Sequence, residues 1–196
     1  MLRFSRNLLL VTWFGLCTAA LIQSHRPASW SAVRGLDAPT GKNPPPPLMD
    51  RMEQAAWRRN APLELSEVDV NRYLAMTVHG TQGGISKMAT PFDRVALDFE
   101  PGHARVCLAW GSGKERKATA SLDFTVERQA GDFVIEVQRG WLGRLPVPRG
   151  FLCTMSPALD SLCASLNNEI RTVFQMNRIR FEKDKVILDP RPETVK

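Results

Sequence analysis

The sequence predicts an α+β fold: an antiparallel β-meander sheet packed against one long C-terminal amphipathic helix, behind an N-terminal transmembrane helix. Three observations carry this expectation. Apolar and polar residues alternate through four consecutive segments between Val95 and Val137, the pattern of strands that bury one face. From Leu159 to Phe174 the apolar residues recur at spacings of three and four, the pattern of a helix with one buried stripe. No charge occurs in the 18 residues from Asn7 to Ser24, which reaches the lower end of what crosses a hydrocarbon core of roughly 30 Å.

The N-terminal stretch sets the expected compartment. Leu8 to Ile22 reads Leu-Leu-Leu-Val-Thr-Trp-Phe-Gly-Leu-Cys-Thr-Ala-Ala-Leu-Ile, with Arg3 and Arg6 ahead of it. Basic residues before an apolar run favour the cytoplasmic side, so the rest of the chain is expected outside the membrane. A removable signal peptide is the alternative reading: Thr18, Ala19 and Ala20 are small enough for a peptidase, but no A-x-A site follows at the usual distance. Leu16 stands before Cys17 where a lipoprotein cysteine wants a small residue. Residues 1–24 therefore read as a membrane anchor or signal segment. The expected placement is the cell membrane, single-pass, with the C-terminal body on the extracytoplasmic side of the cell envelope.

Residues 25–47 are rich in Pro, Ser and Gly and end in Pro44-Pro45-Pro46-Pro47. Proline favours extended backbone at about 3.1 Å per residue, which makes this stretch a Pro-rich linker. The body is expected over 48–189, about 140 residues, enough to bury a core, and a loose tail over 190–196. Leu48 to Arg59 reads as a helix with Met52, Ala55 and Ala56 on a weakly apolar face. After the short extended piece Leu63-Glu64-Leu65, Ser66 with Glu67 and Asp69 starts a second helix. The Ser hydroxyl accepts an otherwise orphaned N–H, and carboxylates suit the positive end of the helix dipole. This helix is expected to end before Gly80.

The meander follows. Val95, Leu97 and Phe99 lead into a turn at Glu100-Pro101-Gly102-His103, and Val106, Leu108 and Trp110 return. Ala118, Ala120, Leu122, Phe124 and Val126 form the third strand, and Phe133, Ile135 and Val137 the fourth. Arg139 to Pro148, with two glycines and two prolines, reads as a strand end turning into a loop. Ser156-Pro157 opens the last helix, since proline at the first helical position loses no bond. Its stripe of Leu159, Leu162, Cys163, Leu166, Ile170, Val173 and Phe174 is expected to lie on the sheet's apolar face. Ile179 and Phe181, a Lys183-Asp184 turn, then Val186 and Leu188 make a closing hairpin.

A net charge of +6 invites a nucleic-acid partner, but residues 1–60 hold 8 Lys/Arg against 3 Asp/Glu while residues 61–196 hold 18 against 17. The excess sits near the N-terminal segment, where Arg26, Arg34, Lys42, Arg51, Arg58 and Arg59 either meet anionic head groups of a lipid bilayer or belong to a solvated linker. No nucleic-acid partner is expected. Four cysteines are present. Beyond Cys17, Cys153 with Cys163 is the possible disulfide if the body enters an oxidising space. Three small buried core residues, Cys107 among them, are the alternative.

The chain carries no Gly-Lys phosphate loop, no G-x-S-x-G, no H-E-x-x-H and no C-x-x-C. A thiol nucleophile at Cys153 served by His103 or His79 has no support in spacing. Asp98, Asp123 and Glu136 fall on the sheet's polar face, where carboxylates are usually solvated. No enzyme activity, catalytic residue, cofactor or metal site is therefore expected. Two features stand out as weak ligand or partner contacts. Asn71 is a polar residue between Val70 and Leu74 that either fixes its helix to neighbouring backbone or stands exposed as a plain surface residue. The turn carrying Trp141, Leu142 and Leu145 offers side chains for a hydrophobic groove between helix and sheet, with plain core packing, the commoner fate of such residues, as the alternative.

The same two places carry a resemblance. Leu63-Glu-Leu-Ser-Glu-Val-Asp-Val-Asn-Arg-Tyr-Leu74 resembles the extended piece and helix near the start of the YpmS-like family of uncharacterised membrane-anchored extracytoplasmic proteins. Gly140-Trp-Leu-Gly-Arg-Leu-Pro-Val-Pro148 is similar to that family's later turn, and the order of elements agrees over most of 48–189. The long proline spacer and extra cysteines depart from the pattern. The resemblance implies no enzymatic activity and no cofactor, and names no substrate. The expected function is a non-catalytic, membrane-anchored domain that binds an apolar or lipid-like ligand between helix and sheet. The alternative is a structural or assembly module that contacts an envelope protein partner.

Overall fold

The structure, a computed structural model, describes residues 2–30, 33–35, 47–81, 94–110, 118–129, 132–150, 152 and 162–192. Five strands form an antiparallel meander in the order β2 (Arg94–Glu100), β3 (His103–Trp110), β4 (Ala118–Gln129), β5 (Asp132–Leu142) and β6 (Leu145–Val147). A second antiparallel sheet joins β1 (Leu63–Ser66) to the closing hairpin of β7 (Arg178–Glu182) and β8 (Lys185–Asp189), in the order β1-β8-β7. The fold is thus α+β with two antiparallel sheets, where one was expected. Leu63 pairs with Leu188 and Leu65 with Val186, a closure between distant parts of the chain that no local pattern announces.

Three helices pack around these sheets: α2 (Leu48–Arg58), α3 (Glu67–Thr81) and α4 (Asn167–Phe174). α2 buries Leu48, Met52 and Ala56, residues four apart that share one face. It ends where Arg59 enters the left-handed region at φ 48° and donates its N–H to the Ala55 carbonyl. At the start of α3 the Ser66 hydroxyl accepts the Asp69 N–H at 3.2 Å. This helix runs through Gly80 to Thr81, one turn's end further than its glycine implied.

The expected long C-terminal helix is not formed. Residues 162–165 are helical, Leu166 leaves helical geometry at φ −110°, ψ 24°, and α4 covers only eight residues. Asn167-Asn168 follows the break, and asparagine competes with the helical backbone for hydrogen bonds. The Thr172 hydroxyl donates back to the Asn168 carbonyl at 3.0 Å, within the same short helix. The expected start at Ser156-Pro157 lies outside the described residues.

The N-terminal helix α1 (Leu2–His25) forms, but among the described residues no helix is long and apolar enough to cross a membrane. This overturns the transmembrane helix, and with it the single-pass signal-anchor and the extracytoplasmic placement. Asn7, Thr12, Gly15, Thr18, Gln23 and Ser24 dilute the apolar run, and a run of minimal length has no margin for them. Large apolar side chains from Leu9 to Ile22 stand half to three-quarters exposed, Phe14 at 76%. The end of the helix, by contrast, is fastened to the body: the Arg144 N–H donates to the Gln23 carbonyl at 3.0 Å.

The chain after α1 packs on the body as well. Residues 26–30 and 33–35 lie on the face of the meander turned away from the helices, where Trp30, Val33 and Ala28 cover Ala96, Cys107 and Ala109. The sheet offers small residues there, so the covering chain approaches closely. The Ala28 N–H donates to the Thr119 hydroxyl at 3.0 Å. Arg34 pairs with Asp184 at 3.0 Å. Both faces of β2, β3 and the first half of β4 are therefore buried, although the sequence advertises one.

Candidate functional site

The opposite face of the meander carries the main core and a cavity. Strand alternation sends Leu97, Phe99, Val106, Leu122, Phe124, Val126, Ile135 and Val137 to this side. Facing them are Leu162, Leu166, Ile170, Val173 and Phe174 from α4 and the turn before it, with Leu48 and Met52 from α2 and Ile179 and Phe181 from β7. The space between them is about 330 Å³. Phe181 closes one wall, stacked on Phe99 at 5.9 Å between ring centroids and edge-on to Phe124 at 6.0 Å.

Among the described residues, two polar side chains, Tyr73 and Glu169, reach this cavity, and they bond to each other. The Tyr73 hydroxyl donates to Glu169 Oε1 at 2.7 Å, which ties α3 to α4. Burial, and then the bond to Glu169, push the Tyr73 hydroxyl above its ordinary range. The rest of the described lining is apolar. The cavity reaches the surface between β5 and α4, where Ile135 is 49% and Phe174 39% exposed. Phe133 stands beside Phe174 there, ring centroids 5.5 Å apart.

A second hollow, about 320 Å³, lies on the other face of the sheet between Trp30, Arg105, Ser121, Trp141 and Arg144. Its central cation is already neutralised. Arg105 donates from Nε to Asp123 Oδ1 at 2.6 Å and stands 3.8 Å from Asp98. The bond to Asp123 raises the guanidinium further, and burial holds the Asp98 carboxyl above the usual carboxylate range despite Arg105. Asp98, Arg105, Asp123 and Arg139 fall in one cross-strand row. Asp98 and Asp123 thus serve an ion pair, while Glu136 stands exposed opposite Thr125, beyond the bulge at Asp123/Phe124.

The predicted site residues are dispersed. Asn71 is 2% exposed and does not line the cavity. Its amide donates to the Arg34 and Leu97 carbonyls at 2.7 and 2.8 Å, and its oxygen accepts the Leu97 N–H at 2.7 Å. Trp141 points to the second hollow, under Arg105 at 5.0 Å. Leu142 packs against the main core, and Leu145 is its partner across the β5–β6 turn; neither lines the cavity. Cys163 borders the cavity and is exposed, and Cys153 lies outside the described residues, as do the side chain of His79 and the disulfide expected between the two cysteines. Cys107 is wholly buried, and that burial pushes its thiol up to about 12.

Sequence reasoning passed over Glu67 as a mere helix starter. It is 1% exposed, and its carboxylate accepts the Arg34 N–H at 2.6 Å and the Phe99 N–H at 3.0 Å. Burial raises its pKa more strongly than these two bonds lower it. With Asn71 it clamps residue 34, α3 and β2 into one unit. The signal for it was the ELSEVDVN stretch itself, where Glu67 and Asn71 stand four apart on one helix face. No family profile matches the chain, and no curated protein or solved structure matches it.

Proposed function

We propose that this chain is a non-catalytic binding protein that holds an apolar or lipid-like ligand in the cavity between the meander and α4. The observation that carries the reading is the cavity: about 330 Å³, walled by apolar side chains, its Tyr73–Glu169 pair internally satisfied. Its volume is about twice that of an engineered apolar cavity of roughly 150 Å³ that takes up benzene. It also falls within the roughly 300–1,000 Å³ range of small-molecule sites. An empty space of this size costs the fold its lost packing, which an occupant restores. The YpmS-like resemblance fits a protein without enzymatic activity or cofactor. An assembly role through the Trp141 turn has less to support it, because that turn is engaged by the chain's own Gln23 and Pro27 carbonyls.

The test is titration of the full chain with the neutral, environment-sensitive dye N-phenyl-1-naphthylamine, alongside the cavity-filling variant Val173→Trp. The expected result is saturable fluorescence enhancement in the wild type and a loss of at least about tenfold in affinity in the variant. Absence of saturable binding, or equal binding by the two proteins, overturns the reading.

A further inference from the structure

We infer that the occupant is a single-chain amphiphile with an anionic head, its chain in the cavity and its head at Arg128; this rests on the cavity reading above. The apolar row that lines the cavity along β4, Phe124 and Val126, continues one step outward to Arg128. Directly across on β5, Ile135 opposes Val126 and Phe133 opposes Arg128. The row thus runs from apolar to cationic where the cavity opens. Alternation places the hairpin's carboxylates, Glu127, Asp132 and Glu136, on the other face of the sheet.

The guanidinium is held at that opening. It lies 5.9 Å over the Phe133 ring, which in turn sits against Phe174 at the cavity's exposed end. Nη1 donates to the Asn177 carbonyl at 2.9 Å, which fixes Arg128 between the sheet and the end of α4. Among the described residues no carboxylate pairs with it, in contrast to Arg105 on the opposite face, which has two. An exposed guanidinium with remaining donors is suited to a carboxylate or phosphate head. The other polar pair on the cavity wall, Tyr73–Glu169, is closed on itself and includes a carboxylate, so it offers an anionic head no cation. The occupant is therefore oriented, tail inward. A cavity of about 330 Å³ suits one chain better than two.

Competition against the bound neutral dye separates this inference from the cavity reading. Dodecanoate, dodecanol and dodecyltrimethylammonium share a tail and differ in head charge. At neutral pH and low salt, dodecanoate is expected to displace the dye at a concentration about tenfold below that of dodecanol, with the cationic amphiphile weakest. That preference shrinks as salt screens the exposed charge. Arg128→Gln is expected to bring dodecanoate level with dodecanol, and Arg128→Lys, which keeps the charge, to retain most of the preference. If dodecanoate and dodecanol compete equally in the wild type, or if Arg128→Gln keeps the preference, the anionic head is wrong while the cavity stands. If the dye does not bind at all, both fall.

Discussion

At the scale of single residues, the buried polar groups of α3 carry more weight than their number implies. Asn71 exhausts its side-chain amide on backbone of residues 34 and 97. Truncation leaves buried backbone groups without partners, at about 1–3 kcal/mol for each, so Asn71→Ala is expected to lower the urea midpoint without changing the slope of the transition. Glu67 adds a pH signature. Its folded pKa is raised by burial, so between the unfolded and folded values the folded state holds a proton that the unfolded state has released. Its contribution is fully present below the unfolded value of 4.5 and is lost as pH rises through the folded pKa. Stability measured against Glu67→Gln, which does not titrate, should therefore shift in favour of the wild type as pH falls from 7 towards 4.5. A difference constant with pH contradicts this origin. The sequence left Asn71 either fixing its helix to backbone or facing solvent, and the structure buries it against backbone. Glu67 was not legible, because a carboxylate at a helix start already has an explanation in the dipole.

At the scale of elements, the crossing of the α1 exit over the β5–β6 turn is a tight joint. Gly143 has φ +56°, and a Cβ there would stand 2.5 Å from the carbonyl oxygens of Ser24 and Arg26. Gly102 also has positive φ, +85°, but opens onto free space. Both alanine variants bear the left-handed cost of about 1–2 kcal/mol, and Gly143→Ala must displace backbone as well. It is expected to lose clearly more thermal stability than Gly102→Ala; equal losses would mean that the α1 exit is not clasped to the sheet. The strands β2 to β5 were readable because a period of two survives any packing detail. Residues 26–30 and 33–35 were not, because proline- and serine-rich composition hides the two side chains that matter, Trp30 and Val33. The helix break at Leu166 was hidden for the opposite reason: a clean apolar stripe runs straight through it, and only Asn167-Asn168 signals the interruption.

At the scale of the whole molecule, two antiparallel sheets and the flanking helices close around one apolar space instead of filling it. Much of its lining was visible in advance as the stripe from Leu162 to Phe174 and the alternation of β4 and β5. The Trp141 turn divides between the two faces: strand alternation draws the Trp141 side chain to the far side of the sheet, while Leu142 stays against the main core. A ligand that binds only the folded state stabilises it by about 2.7 kcal/mol at one hundred times its Kd. For a body of this size that corresponds to a rise in Tm of several degrees. Dodecanol or dodecanoate at saturation should produce it in the wild type, and in Val173→Trp the rise should be much smaller. The most direct measurement is native mass spectrometry of the full chain after gentle purification, wild type beside Val173→Trp. The expected result is a wild-type protein carrying a stoichiometric mass of one single-chain amphiphile, which the variant lacks. A bare wild-type mass, or the same adduct on both proteins, would contradict a ligand in the cavity.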